Sequence, residues 1–207
     1  MRAGTAFVVT LVLLLGGGVG VDAWLTQQAE AAVAERAAAL LDAEEVEARL
    51  GGWPSSLRLV AGSVPEVEVR AVQVAVPDAD LALAHLEVVL FDVRLRYADL
   101  EDELAVLRGL RGTFAADLGT DAVARVAGAD VVLGDGLGQV QAGEGLVDVA
   151  ASVEEGVVVL RPVGAAPEGA SPVPLALPRL PGGAAVERAR IVPGALRLEG
   201  VVNRVGG

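Results

Sequence analysis

From Leu50 to Tyr97 apolar positions recur at period two, and the period changes parity inside each of two runs. Pro65 to Val76 reads Val67, Val69, Ala71 on one parity, then Val72, Val74, Val76 on the other. Asp80 to Tyr97 reads Leu86, Val88, Leu90 on one parity and Phe91, Val93, Leu95, Tyr97 on the other. Alternation predicts half-buried strands, and a parity switch predicts a bulge. Pro77-Asp78-Ala79-Asp80 between them is turn chemistry, since Pro presets φ and Asp caps its own backbone. The prediction is an antiparallel hairpin. The chain enters it through a corner, Leu50-Gly51-Gly52-Trp53-Pro54, and a short apolar run, Leu57 to Gly62.

The pattern before this hairpin is helical. Asp22 to about Leu41 is rich in Ala and Glu, both strong helix formers, with Trp24, Leu25, Ala29, Val33, Leu40 and Leu41 as a shallow apolar side. Glu44 to Arg49 reads either as continued helix or, from Val46, Ala48 and Leu50, as a first strand. After the hairpin, Ala98 to Leu107 has acids early and Arg108 late, followed by Gly109, which predicts a helix. Gly112 to Leu118 is a short strand, and Thr120-Asp121 is the expected N-cap of a short helix through Val126. Strands follow at Asp130 to Leu133, Leu137 to Gln141, Leu146 to Val153 and Val157 to Arg161, with Gly-containing turns between. Pro162 to Gly183 holds six of the ten prolines and predicts an extended crossing segment. A last hairpin turns at Pro193-Gly194. The expected fold is one α+β domain, a long N-terminal helix packed on a twisted antiparallel β-sheet. Leu81 to Leu90 and Val157 to Leu160 are apolar on both parities, so those strands are covered on both faces. The second cover is protein, membrane or an acyl chain.

Ala3 to Val21 carries no charge, follows Arg2, and has Phe7 to Leu15 as its apolar heart. Val21-Asp22-Ala23 reads as a small-x-small cleavage site. Residues 1–23 are therefore a signal peptide or a signal anchor, and 24–207 the domain. Either reading places the body outside the cytoplasm, on the periplasmic or extracellular face of the membrane, anchored or released. Residues of the classes AVILMFWYC make up 53% of the chain, yet only 3% of it is aromatic, so Val, Leu and Ala must build the core. All 16 basic residues are Arg, and the net charge is −12. Such a chain repels nucleic acid and gains no attraction to anionic membranes, so any lipid contact must come from apolar burial. Without cysteine there is no disulfide, thiolate metal site or acylation site.

Candidate chemistry is sparse. His85 is the one histidine, lies in a strand, and has only Glu87 near it in sequence. None of the five serines sits in a Gly-x-Ser-x-Gly elbow. Gly134-Asp135-Gly136-Leu137-Gly138-Gln139 lacks the final glycine of a dinucleotide loop, and Glu101-Asp102-Glu103 lacks the spaced oxygens of a calcium loop. No enzyme, cofactor or metal is expected. Trp53, Leu57, Leu59 and Val60 form either a core plug or a membrane-facing lipid mouth. Phe91, Val93, Leu95 and Tyr97 are either core or the wall of an acyl-chain cavity. Arg94 and Arg96, on the other parity, either meet a phosphate head group or lie on a solvated face.

The small-aromatic-Pro corner, the short helical turn, the Gly and the long hairpin resemble the actinobacterial LmeA-type phospholipid-binding family. The run Leu177-Pro178-Arg179-Leu180-Pro181-Gly182-Gly183, then Ala185 to Val192, Pro193-Gly194 and Ala195 to Leu198, is similar to that family's closing hairpin. This chain departs in carrying Trp53 followed by Pro54-Ser55-Ser56, where members have Phe-Pro and more apolar residues. The resemblance favours a first strand at Glu44 to Arg49 and implies a non-enzymatic phospholipid-binding protein of the cell envelope, acting in envelope or lipoglycan maturation. The expected fold resembles tubular lipid-binding domains, with the acyl chain between helix and sheet. A protein scaffold that holds partners through sheet edges is the other expectation.

Overall fold

A computed structural model describes residues 22–39, 41–52, 61–76, 81–94, 111–142, 145–164, 171–177 and 184–203. Helix α1 covers 22–39. It leads through Asp42, at φ 46°, straight into strand β1, Ala43–Gly51. Strands β2 (Val64–Val76) and β3 (Leu81–Val93) form the expected hairpin, with β1 on its outer edge. β4 (Arg111–Gly119) precedes α2 (Thr120–Ala127). Then come β5 (Val131–Leu133), β6 (Gly138–Ala142), β7 (Gly145–Glu154), β8 (Val157–Pro162) and β9 (Val173–Leu175). β10 (Ala184–Val192) and β11 (Ala195–Val202) close the chain.

The described residues are mostly β and form two antiparallel sheets, where the sequence pattern suggested one. The larger sheet runs β1-β2-β3-β4-β11-β10 and the smaller β5-β6-β7-β8-β9. The α+β expectation holds in its coarser form: an N-terminal helix packs on a sheet. β9 was expected only as extended crossing chain. It is the edge strand of the smaller sheet, where Pro174, lacking an N–H, costs no ladder bond on the solvent side. The cap of α2 also differs. Gly119 is the N-cap, without a side-chain bond, and Thr120 Oγ1 instead donates to the Gly194 carbonyl at 3.2 Å. Gly128, left-handed at φ 66°, ends that helix, as the sequence suggested. The expected helix at Ala98 to Leu107 and the Pro77–Asp80 turn lie outside the described residues.

Two buried clusters hold the fold. In the first, β2, β3, β4, β10 and β11 pack on β5–β9 and α2, with Leu118, Leu160, Leu175, Leu196 and Leu198 almost fully buried. In the second, Ala29, Val33 and Ala37 of α1 cover Ala48, Leu50, Val64, Val67, Val69, Leu90 and Val93. Among the described residues no helix is long and apolar enough to cross a membrane, and residues 1–21 lie outside them.

Candidate functional site

The face of the large sheet that carries both clusters is an unbroken aliphatic strip. On β2 and β3 it consists of the cross-strand pairs Val64·Val93, Val67·Leu90, Val69·Val88, Ala71·Leu86, Val74·Leu83 and Val76·Leu81. Strict alternation cannot produce this set, because Ala71 to Val74 is a step of three. The inversion is made at Gln73, whose φ is 54°. Its neighbours invert at the same rung: Leu83 to Leu86 on β3 and Ala43 to Val46 on β1 also step by three. Each strand spends one extra residue there, so pairing resumes without a register slip. The sequence pattern suggested a bulge; the registers run unbroken through this rung, so the parity switch is instead a paired inversion shared by three strands. Asp92, also at φ 54°, repeats the inversion at the other end, between Leu90 and Val93. Asp tolerates this conformation better than a branched residue does.

α1 covers the Val64 to Val69 end of the strip, and the smaller sheet covers the Ala71 to Val76 end. Between the covers runs a seam. Leu41, Val46 and Val88 touch both clusters and are only half-buried, as is Leu86 beside them. The inner face therefore presents aliphatic side chains that neither cover encloses fully.

Of the predicted site residues, Val93 and Phe91 prove to lie on opposite faces. Val93 is buried under α1, whereas Phe91 is half-buried on the outer face opposite Glu66 and Arg111. Asp92 separates them, which the shared parity of the sequence pattern did not anticipate. Arg94 is exposed at the end of β3. Trp53, Leu57, Leu59, Val60, Leu95, Tyr97 and Arg96 lie outside the described residues. The sequence reading missed Leu41, Val46 and Val88 as seam residues. Their signal was the spacing of three, which marks where the inward set changes parity.

The outer face is of another kind. Recesses of about 610, 380 and 480 Å³ lie across it. The first and second share Thr113 and Val201, and the second and third share Glu87 and Ala115. Small side chains make the floor, and ion pairs stand in the walls. Asp117 is 8% exposed and lies opposite Arg197 in the β4–β11 ladder. Arg197 donates to it in bidentate fashion, Nε to Oδ1 at 2.7 Å and Nη2 to Oδ2 at 2.8 Å. That bond holds the Arg197 pKa above its ordinary value, against the smaller opposing pull of burial. His85 Nδ1 stands 4.0 Å from Asp117 Oδ2, and Glu87 accepts from Arg70 at 3.5 Å.

Asp117 and Glu87 each stand against an arginine, Arg197 and Arg70. The residues lining the His85 recess offer no hydroxyl or thiol nucleophile. The outer walls are also too polar to bury an acyl chain without stranding charges. The inner strip is the surface with the right chemistry for an apolar ligand.

A family model described as LmeA-like phospholipid-binding matches residues 20–201. No curated protein and no solved structure matches the chain.

Proposed function

The chain belongs to the LmeA-like phospholipid-binding family, and on that premise we propose that it binds a phospholipid by burying an acyl chain on the inner strip of β1–β3. The carrying observation is the half-buried aliphatic seam at Leu41, Val46, Leu86 and Val88, continuous with the strip beneath α1. Dimensions support it. Val64 to Val69 is five residue steps, about 17 Å at the rise of a strand. One acyl chain spans half of a hydrocarbon core of roughly 30 Å, about 15 Å. Each buried methylene contributes about 0.8 kcal/mol, enough over a few carbons to offset repulsion between an acidic body and an anionic head group.

The protein works without catalysis at the outer surface of the cytoplasmic membrane, in the handling of envelope lipids. Residues 1–23 deliver it there as signal peptide or anchor. The uncharged run from Ala3 to Val21 behind Arg2, and the exposed Trp24 near the start of α1, 57% accessible, support that placement. The scaffold reading has less behind it. The Leu50 N–H near the end of edge strand β1 is taken by Glu30 Oε1 at 2.9 Å, and Glu44, Glu45 and Glu47 charge that strand, which discourages strand addition.

The test is native mass spectrometry of the full chain, expressed with export, followed by lipid extraction. Wild type and Phe91→Asp should carry phospholipid, while Val88→Asp should lose it and still fold. A lipid-free wild type that takes up nothing from vesicles sinks the reading. Loss in Phe91→Asp with retention in Val88→Asp moves the site to the outer face.

A further inference from the structure

We propose that α1 is a hinged lid over the acyl-binding strip, pivoting at Asp42 and latched by Glu30; this deepens, and rests on, the lipid reading above. Three observations converge on it. The first is the helix's contact surface. The α1 side chains buried in its cluster are Ala29, Val33 and Ala37, so one valine is the largest and two of the three present only a methyl to the Leu and Val side chains they cover. Such a face can lift without tearing out large anchored residues.

The second is the connection. Residue 41 is helical and residue 43 is already strand, so one residue, Asp42, makes the reversal. Its φ of 46° is unusual for a residue with a side chain, and hinges are built from a few element-terminal positions of this kind. The Asp42 carbonyl accepts from the Ala75 N–H at 3.3 Å, which fixes the pivot to β2.

The third is the latch. Glu30 Oε1 accepts the Leu50 N–H at 2.9 Å, near the far end of β1 from the pivot. A side-chain bond this far along the helix from the pivot can be broken without disturbing the sheet. The half-buried seam residues Leu41, Val46 and Val88 lie beside the pivot, where a lid that lifts would widen the opening first. Lipid that replaces the alanine face on the strip compensates the lost contacts, so ligand shifts the population toward the open lid.

The chain has no cysteine, so one introduced thiol reports on one place. In the full chain, Val33→Cys sits beneath the lid, and Val149→Cys sits in the inter-sheet cluster as a control. Alkylation of each is timed with and without vesicles of phosphatidylethanolamine and phosphatidylglycerol, and bound lipid is read in the same samples by native mass spectrometry. Vesicles should speed labelling of Val33→Cys about tenfold or more and leave Val149→Cys unchanged, as local opening requires. Adding Glu30→Ala should speed Val33→Cys without lipid, whereas Glu30→Gln, which keeps an acceptor oxygen, should not. Bound lipid with a protected Val33→Cys overturns the lid and leaves the lipid reading standing. Protection with no bound lipid overturns both.

Discussion

The two covers of the large sheet are built from different stock. Where β4, β10 and β11 meet the smaller sheet, Leu118, Leu160, Leu175, Leu196 and Leu198 interdigitate, with Ile191 and Phe114 beside them. Under α1 the buried helix residues are two alanines and one valine, with Ala34 and Leu41 half-buried beside them, although the sheet below is as aliphatic as anywhere else. Burying a leucine is worth about 1.5–3 kcal/mol, and an alanine methyl about 0.8. One cover is therefore cemented and the other rests in place. The lesson is that equal burial does not mean equal hold: Val33 and Leu160 are both about fully buried, yet they belong to covers of very different strength.

The sharpest way to break the contrast is Leu198→Ala in the inter-sheet cluster. It should cost about 2–5 kcal/mol of global stability, read as a lower urea midpoint. A cost below that of Val33→Ala would reverse the comparison. Next comes Asp117→Ala, which leaves Arg197 without its bidentate acceptor on the outer face of the β4–β11 pair. A loss of about 1.5–3 kcal/mol is expected by the same measurement. Val33→Ala removes two methyls and should cost about 1–2 kcal/mol. Its signature should be local: amide exchange in α1 speeds up while the inter-sheet strands keep their protection. Smallest is Glu154→Gln on the exposed β7–β8 hairpin. Hydrogen bonds from Arg161, then Ser152, hold the Glu154 carboxyl below its ordinary pKa. Any stability it gives is thus present above the unfolded carboxylate range and lost as pH falls through the lower folded value. The pair is exposed to solvent, so the neutral-pH melt should not shift.

Much of this contrast was written in the chain. The Ala-rich run announced a helix with a shallow apolar side, and α1 has one. Alternation located β2 and β3, the family resemblance decided β1 where the pattern alone left helix and strand open, the Pro193-Gly194 turn marked the closing hairpin, and the broken alternation signalled the inversions. Other features needed the third dimension. The sequence grouped Phe91 with Val93 and Val72 with Val74, but each pair straddles a left-handed residue. Hydrophobicity alone could not say that Phe91 and Val72 face outward, to line recesses with charged walls. Asp117 and Arg197 are 80 residues apart, so their pairing was invisible. The division into two sheets depends on the turn that α2 makes between β4 and β5, a tertiary event with no local signature. Prolines hid β9, because the rule that bars them from strands is relaxed at an edge.

The shared rung at Glu44, Gln73 and Ala84 works like a change of reading frame. From Val67 to Ala71 the odd-numbered residues of β2 supply the core, and beyond the rung the even-numbered Val74 and Val76 do. The strands stay paired throughout, so the shift is in what the letters mean and not in where they stand. A β-branched residue at Gln73, which resists positive φ, would restore strict alternation and send Val74 and Val76 toward water. One dihedral angle thus decides which half of the alphabet of β2 is read as interior.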